Sequence, residues 1–279
     1  MTSPFAYREQ YTTPPLNQLI RKIWVMDNAA NPHPVNNKNV LPNSCFNLAF
    51  IQGNGLMIHN QRGCFEMHQE RYFCGQARYR VEVIIKPFTQ VTMIQLHPWT
   101  PTHWTTDSLA DTADRILPLA NVLPAVNDLF SHYDSTTIQA AHAETSLIEF
   151  IQDHFFQLPS LANATFPLQQ ACLRLQQTKG CLRIAELAHE FHCSTRQVEK
   201  HFKQSVGLTP KEFTRILRVR GVVDALQNQR SMQPLAQLAI EFGFYDQAHF
   251  IRVFRDMIRQ TPGEFRPIDY LLPLSGTGF

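Results

Sequence analysis

The sequence predicts an α+β protein. A β-rich, barrel-like domain with flanking helices is expected over residues 1–163, and an all-α domain with two helix-turn-helix units joined by a linker helix over residues 164–279. Three observations carry this. From Leu16 to about Trp99, short β-branched and aromatic runs alternate with Gly, Pro and Asn punctuation. In the last third, one helical pattern occurs twice. Charge also divides between the halves: residues 164–279 carry 15 Lys+Arg against 10 Asp+Glu, and residues 1–163 carry 10 against 13. A chain of 279 residues is long enough for two packed cores.

The repeat runs from Ile184 to Phe202 (IAELAHEFHCSTRQVEKHF) and from Leu235 to Phe254 (LAQLAIEFGFYDQAHFIRVF). Phe202 and Phe254, Thr209-Pro210 and Thr261-Pro262, and Glu212-Phe213 and Glu264-Phe265 match at an offset of 52. Ala188 and Ala239, Glu190 and Glu241, and Phe191 and Phe242 match at 51, so the second turn is one residue longer. Each copy is a short amphipathic helix, a tight turn and a second helix opened by a capping residue, the helix-turn-helix pattern. Two helical copies argue against a solenoid or a propeller.

In chain order, residues 1–15 read as a loose leader. Strands are expected at Leu19–Asp27, Cys45–Gln52, Leu56–Asn60, Tyr72–Gly75, Ala77–Ile85 and Val91–His97, in a sandwich or small barrel. The Pro- and Asn-rich stretch Asn31–Pro42 reads as a loop. Asp107–Pro118, Val122–Tyr133 and Thr136–Leu158 read as helices, the last packing over the barrel or, as the alternative, forming a dimer surface, and Pro159–Pro167 as the interdomain linker. The second domain opens with a helix at Leu168–Thr178. Ile184–Phe191 and Thr195–Gln204 form copy one, with Ser194 as N-cap. Pro210 sits at the first position of a helix reaching Gln227, where its missing N–H costs nothing. Asn228–Gln233 is a loop, and copy two follows with Gly243 in its turn and Asp246 as N-cap.

In a helix-turn-helix the second helix enters the major groove. Val198 and Phe202 share a core face, which turns Arg196, Glu199, Lys200 and Lys203 outward. In copy two Phe250 and Phe254 face the core, and Gln247, His249 and Arg252 project. Arg196 and Arg252 suit guanine edges, Gln247 suits adenine, Glu199 accepts from cytosine N4, and lysines reach bases or phosphates. The net basic charge of this half is what phosphate neutralisation needs.

Residues 168–267 resemble the DNA-binding domain of the AraC/XylS family of bacterial transcriptional regulators. The matching residues are Ile184-Ala185-Glu186-Leu187-Ala188, Ser194-Thr195-Arg196-Gln197-Val198, Phe202, Gly207-Leu208-Thr209-Pro210-Lys211, and the run GFYDQAHFIRVFRD from Gly243 to Asp256 with Thr261-Pro262-Gly263-Glu264-Phe265. The resemblance implies two units entering successive major-groove segments on one face of double-stranded DNA, with Arg196, Glu199 and Lys200 in the first groove and Gln247, His249 and Arg252 in the second. It implies a regulator, more an activator than a repressor, with RNA polymerase as a further partner. One departure is Arg259, where family members usually carry Gly to ease a left-handed cap. The N-terminal half resembles the family's β-rich sensor domains through Ile23-Trp24, Leu41-Pro42, Asn47-Leu48, Phe73-Cys74-Gly75 and His97-Pro98. Such domains bind an effector, dimerise, or both, and the sequence does not name the effector.

Within that half, the aromatic residues Trp24, Phe46, Trp99 and Trp104 are the candidate effector pocket, with plain core packing as the alternative. His33, His59, His68, His97 and His103 would be ligands in a cupin-type metal enzyme, but none forms an H-x-H with a following carboxylate, so no metal is expected. Cys45, Cys64 and Cys74 are candidate redox or electrophile sensors against the simpler reading of buried small residues. No C-x-x-C spacing is present, which fits reduced thiols in a cytoplasmic, nucleoid-associated protein. No signal peptide or membrane-spanning run is visible. Phosphate loop, nucleophile elbow and H-E-x-x-H motifs are absent, so neither catalysis nor a cofactor is expected. The rival class is a DNA-repair or cupin-type enzyme that carries a DNA-binding module.

Overall fold

A computed structural model of the chain describes residues 5–68, 70–131, 149–151, 153–158, 160–161, 166–227 and 234–270. The N-terminal half is a pair of antiparallel sheets. The first contains β1 (Ala6–Tyr11), β2 (Ile20–Asn28), β9 (Thr89–Leu96), β4 (Phe46–Gly53), β7 (Arg71–Cys74) and β10 (Ile116–Pro118), in that spatial order. The second contains β3 (Val35–Val40), β8 (Val81–Ile85), β5 (Leu56–Asn60) and β6 (Gly63–Met67). The expected barrel is therefore two facing sheets rather than one closed cylinder.

The central strands β2, β9 and β4 of the six-stranded sheet are buried on both faces, which explains their near-continuous apolar sequences. Side chains alternate across a strand. Trp24, Met26, Ala49, Ile51, Val91 and Met93 face the second sheet. Ile23, Phe46, Leu48, Phe50, Ile94 and Leu96 face the other way, onto Trp104, Phe130 and Phe155. Phe130 sits edge-on to Phe50 at 4.6 Å.

Several expectations are corrected here. The supposed leader contains β1, paired along its length with β2. The supposed loop Asn31–Pro42 contains β3, the edge strand of the second sheet, whose polar sequence VNNKNV suits an edge. Asp107–Pro118 forms no helix. It runs as successive turns into β10, with Asp114 left-handed (φ 58°) and Thr112 Oγ1 donating to Leu109 O at 2.8 Å. Local side-chain bonds of this kind compete with helix. The strand expected from Ala77 begins only at Val81. The helix expected at Val122–Tyr133 is α2 (Pro124–Ser131), preceded by a separate short helix α1 (Leu119–Val122), and residues 132–133 lie outside the described residues. Most of Thr136–Leu158 and of the linker Pro159–Pro167, and all of Asn228–Gln233, lie outside the described residues.

The C-terminal half holds α3 (Leu168–Gln177), α4 (Ile184–Glu190), α5 (Thr195–Val206), α6 (Pro210–Gln227), α7 (Leu235–Glu241) and α8 (Gln247–Ile258) around one core. The internal repeat extends to its hydrogen bonds. Cys193 N donates to Ala188 O at 3.0 Å and Phe244 N to Ala239 O at 2.8 Å, closing equivalent turns. Ser194 Oγ accepts from Gln197 N, and the Asp246 carboxylate from His249 N, as the N-caps of α5 and α8. After each unit a capping box forms, with Thr209 N bonded to Glu212 and Thr261 N to Glu264. Arg259 adopts the left-handed cap itself (φ 65°), matching Gly207 (φ 76°).

The halves are joined by bonds as well as by chain. Leu41, Trp99 and Ala113 enter the helical core. Asn39 Nδ2 donates to Asp269 O at 2.9 Å, and Asn39 forms a parallel bridge with Tyr270.

Candidate nucleic-acid interface and ligand cavity

The second helix of each unit buries one stripe and exposes the other. On α5, Val198, Phe202 and Val206 are buried, while Arg196, Glu199 and Lys200 are exposed. On α8, Phe250, Phe254, Met257 and Ile258 are buried, while Gln247 and Arg252 are exposed. Among the described residues, Arg196, Lys200 and Arg252 are held in no ion pair, so their charges face solvent. The two acids of the first bracing helix, α4, are engaged elsewhere. Glu190 pairs with Arg174 at 2.9 Å, and Glu186 with Arg183. Those partners hold both carboxyls below the usual range.

Two predicted contacts have structural duties. Lys203 is half-buried, and its Nζ donates to Gly207 O at 3.2 Å in the cap of its own helix. His249 is half-buried against Phe244, and its Nδ1 accepts from Tyr245 N at 3.4 Å. One further residue is not singled out by the sequence. Tyr245 lies in the turn just before α8 with 90% of its surface exposed. Its exposure follows from the extra residue in the second turn, which is legible as the 51-to-52 change of offset.

The N-terminal half contains a cavity of about 90 Å³ between its two sheets. A single water needs about 10–15 Å³ on the same measure, so there is room for a small organic group. Trp24, Met26, Ala49 and Met93 line it from one sheet and Leu56, Ile58 and Val83 from the other. Cys45, Asn47, Cys74, Gly75, Ala77 and Asp114 close its remaining sides. The lining is mostly apolar with few polar groups, as in small-molecule sites. Trp24 Nε1 and Asn47 Oδ1 are buried without a hydrogen-bond partner among the described residues, a donor and an acceptor a ligand could satisfy.

The four predicted pocket aromatics do not converge. Only Trp24 lines the cavity. Phe46 lies on the opposite face of β4, 5.2 Å from Phe73. Trp99 stacks on His97 at 4.5 Å and donates to Gln18 O at 3.0 Å. Trp104 packs edge-on against Phe155 at 5.0 Å.

Burial pushes the Cys74 thiol up to about 12 and also raises that of Cys45, so both stay protonated at neutral pH and are poor nucleophiles. Cys64 is exposed, with Sγ 3.7 Å from His59 Nε2. The candidate metal histidines are dispersed. His33 and His68 are exposed, His97 Nε2 lies 3.0 Å from Asn17 O, and His103 Nδ1 lies 3.0 Å from Ser160 Oγ. Burial lowers the His97 ring to about 4. Among the described residues, no group of three or more His, Cys, Asp or Glu could hold a metal ion.

Residues 187–267 match the family described as "Helix-turn-helix domain", a span that contains all seven predicted recognition residues. Over 93 residues the chain is 31% identical to the "Probable transcription factor PqrA" of Proteus vulgaris, covering 33% of this chain and 74% of that protein. The chain belongs to the AraC/XylS family of transcriptional regulators. Residues 9–118 match a second family, "Domain of unknown function (DUF6597)". An "Uncharacterized HTH-type transcriptional regulator" of Haemophilus influenzae is 28% identical over 92 residues, and the match spans 30% of that relative's length. A 1.65 Å structure of ToxT from Vibrio cholerae aligns with 93% of this chain and 97% of its own, at 11% identity and a TM-score of 0.45. Among the described residues of this AraC/XylS member, no helix is long and apolar enough to cross a membrane.

Proposed function

We propose that the protein is a sequence-specific DNA-binding regulator that reads two successive major-groove segments with α5 and α8 and takes a small, mostly apolar effector between its two sheets. The observation that carries this is the pair of exposed recognition faces on helices joined by the 18-residue α6. Each face carries an arginine held in no ion pair among the described residues. At 1.5 Å per residue α6 is about 27 Å long, which holds the units at a fixed separation.

Arg196 and Arg252 are assigned to guanine edges, Gln247 to adenine, Glu199 to cytosine N4, and Lys200 to a base or phosphate. Lys203 and His249 support these helices from the cap and the preceding turn, and reach phosphate only by leaving those bonds. The cavity supports the effector reading through its apolar walls and the unmatched Trp24 Nε1 and Asn47 Oδ1. Activation, contact with RNA polymerase and dimerisation through the N-terminal half belong to the same reading and rest on family resemblance.

The test is selection of bound sequences from randomised duplex DNA by the purified full-length chain at two salt concentrations. The expected result is an asymmetric bipartite motif whose halves lie about 10 bp apart, with affinity that falls as salt rises. Loss of all enrichment at both salts would overturn the DNA-reading assignment.

A further inference from the structure

The cavity and the recognition helices share a wall. Gly75, Ala77 and Asp114 line the cavity, and the segments that carry them, residues 75–80 and 109–115, continue onto the helical domain. Leu109 N donates to Gln204 O at 2.7 Å, and Arg80 N donates to Met257 O at 2.8 Å. These carbonyls lie in the last turns of α5 and α8, where a helix leaves its C=O groups unpaired. Backbone amides of the sheet domain thus finish the C-terminal ends of both recognition helices.

Asp114 stands at the centre of this strap. Its carboxylate accepts from Arg78 N at 2.7 Å and Arg78 Nε at 2.6 Å, and Arg78 Nη1 donates to Glu212 at 3.1 Å. Glu212 is the capping carboxylate of α6, the helix that joins the two units. On the other side, Asp114 O accepts from Asn60 Nδ2, another cavity residue, at 3.1 Å. The packing leaves little slack. A Cβ on Gly75 would sit 1.9 Å from Thr112 O, and one on Gly207 2.8 Å from Leu109 O.

We propose that this strap couples occupancy of the cavity to the mutual setting of the two recognition helices, with Asp114 as the residue both sites share. The coupling deepens the proposed function and rests on its reading of cavity and helices. The two states are a seated strap, with the Leu109, Arg80 and Arg78 bonds made, and a lifted one in which they open. A ligand shifts this balance only by binding one state better than the other. One that displaces the Asp114 wall favours the lifted state, and one that fills the space beside it favours the seated state.

The experiment uses the full chain and a side chain in place of an unidentified ligand. Ala49, on β4 and away from the strap, lines the cavity, so Ala49→Leu fills it from the far sheet. Affinity for the selected operator is measured for wild type, Ala49→Leu, Arg78→Ala and the double variant, with melting curves for each. Hydrogen exchange is followed at the Leu109 and Arg80 amides. The expected result is a change of about fivefold or more for Ala49→Leu, altered exchange at both amides, and loss of that change in the Arg78→Ala background. Wild-type affinity and exchange in a folded Ala49→Leu protein would overturn the coupling. So would an equal fold-change in both backgrounds. If Ala49→Leu does not fold, Ile58→Phe fills the cavity from the second sheet. If wild type selects no operator, it is the DNA-reading assignment that fails, and the exchange data alone then decide whether the strap answers to the cavity.

Discussion

The two helix-turn-helix units share the left-handed turn and cap residues but place their glycines oppositely. Each unit has two left-handed residues, one in the turn and one at the end of the second helix. In the first unit the turn residue is His192 (φ 50°) and the cap is Gly207 (φ 76°). In the second the turn residue is Gly243 (φ 71°) and the cap is Arg259 (φ 65°). The geometry is therefore imposed by the hydrogen-bonded turn and cap, and not by glycine. Glycine occurs where something is close. A Cβ on Gly207 would meet Leu109 O of the sheet domain, and one on Gly243 would meet Cys181 Sγ at 3.1 Å. His192 and Arg259 are exposed, and Arg259 lies 5.7 Å over the Tyr79 ring. There the left-handed cost, roughly 1 kcal/mol, is tolerated.

Substitutions made in pairs test how alike the two units are, the costliest first. Phe202→Ala and Phe254→Ala each delete a fully buried ring and should each cost about 3–5 kcal/mol. Thermal or denaturant unfolding measures this, and losses that differ by several kcal/mol would show that the two cores are not equivalent. Gly207→Ala combines a left-handed backbone with a fixed carbonyl neighbour and should cost about 1–3 kcal/mol. Gly243→Ala meets side chains that can yield and should cost less; the reverse order would mean that the interdomain contact does not constrain the first cap. Arg252→Ala should weaken operator binding by about 1–3 kcal/mol and relax preference at a single base pair. Equal weakening across all sequences would reassign it to phosphate. His192→Gly should be the smallest effect, within about 1 kcal/mol of neutral and on the stabilising side. A clear loss would show that the His192 side chain, not the backbone, holds the first turn.

The helical domain is legible in the sequence because its signals are local. The 3.6-residue stripe of Val198 and Phe202, the caps Ser194 and Asp246, and Pro210 at a first helical position each act over a single turn of chain, and the second copy repeats them. The sheet domain is legible in its strands but not in its surfaces. Phe46 and Asn47 are neighbours in sequence and sit on opposite faces of β4, so counting aromatics does not locate the cavity. Register does, because Trp24 and Ala49 both pair with Met93 and so share a face. The acids and aliphatics of residues 109–115 fit a helical spacing, yet the segment is a strap. What unwinds it is Gly75 approaching Thr112 O and the helix ends it must reach, both fixed by residues far away in sequence.

The bond from Asn39 to Asp269 joins residues 230 positions apart. A ribosome adding about 5–20 residues per second exposes the β3 edge roughly 10–50 s before its mate emerges. Throughout that interval an unpaired strand edge is open to any other nascent chain. The sequence VNNKNV, with a lysine at its centre and Pro34 before it, is a poor template for such pairing. The polarity that disguises β3 as a loop is thus also what keeps the growing chain single until its own C-terminal segment arrives to cover the edge.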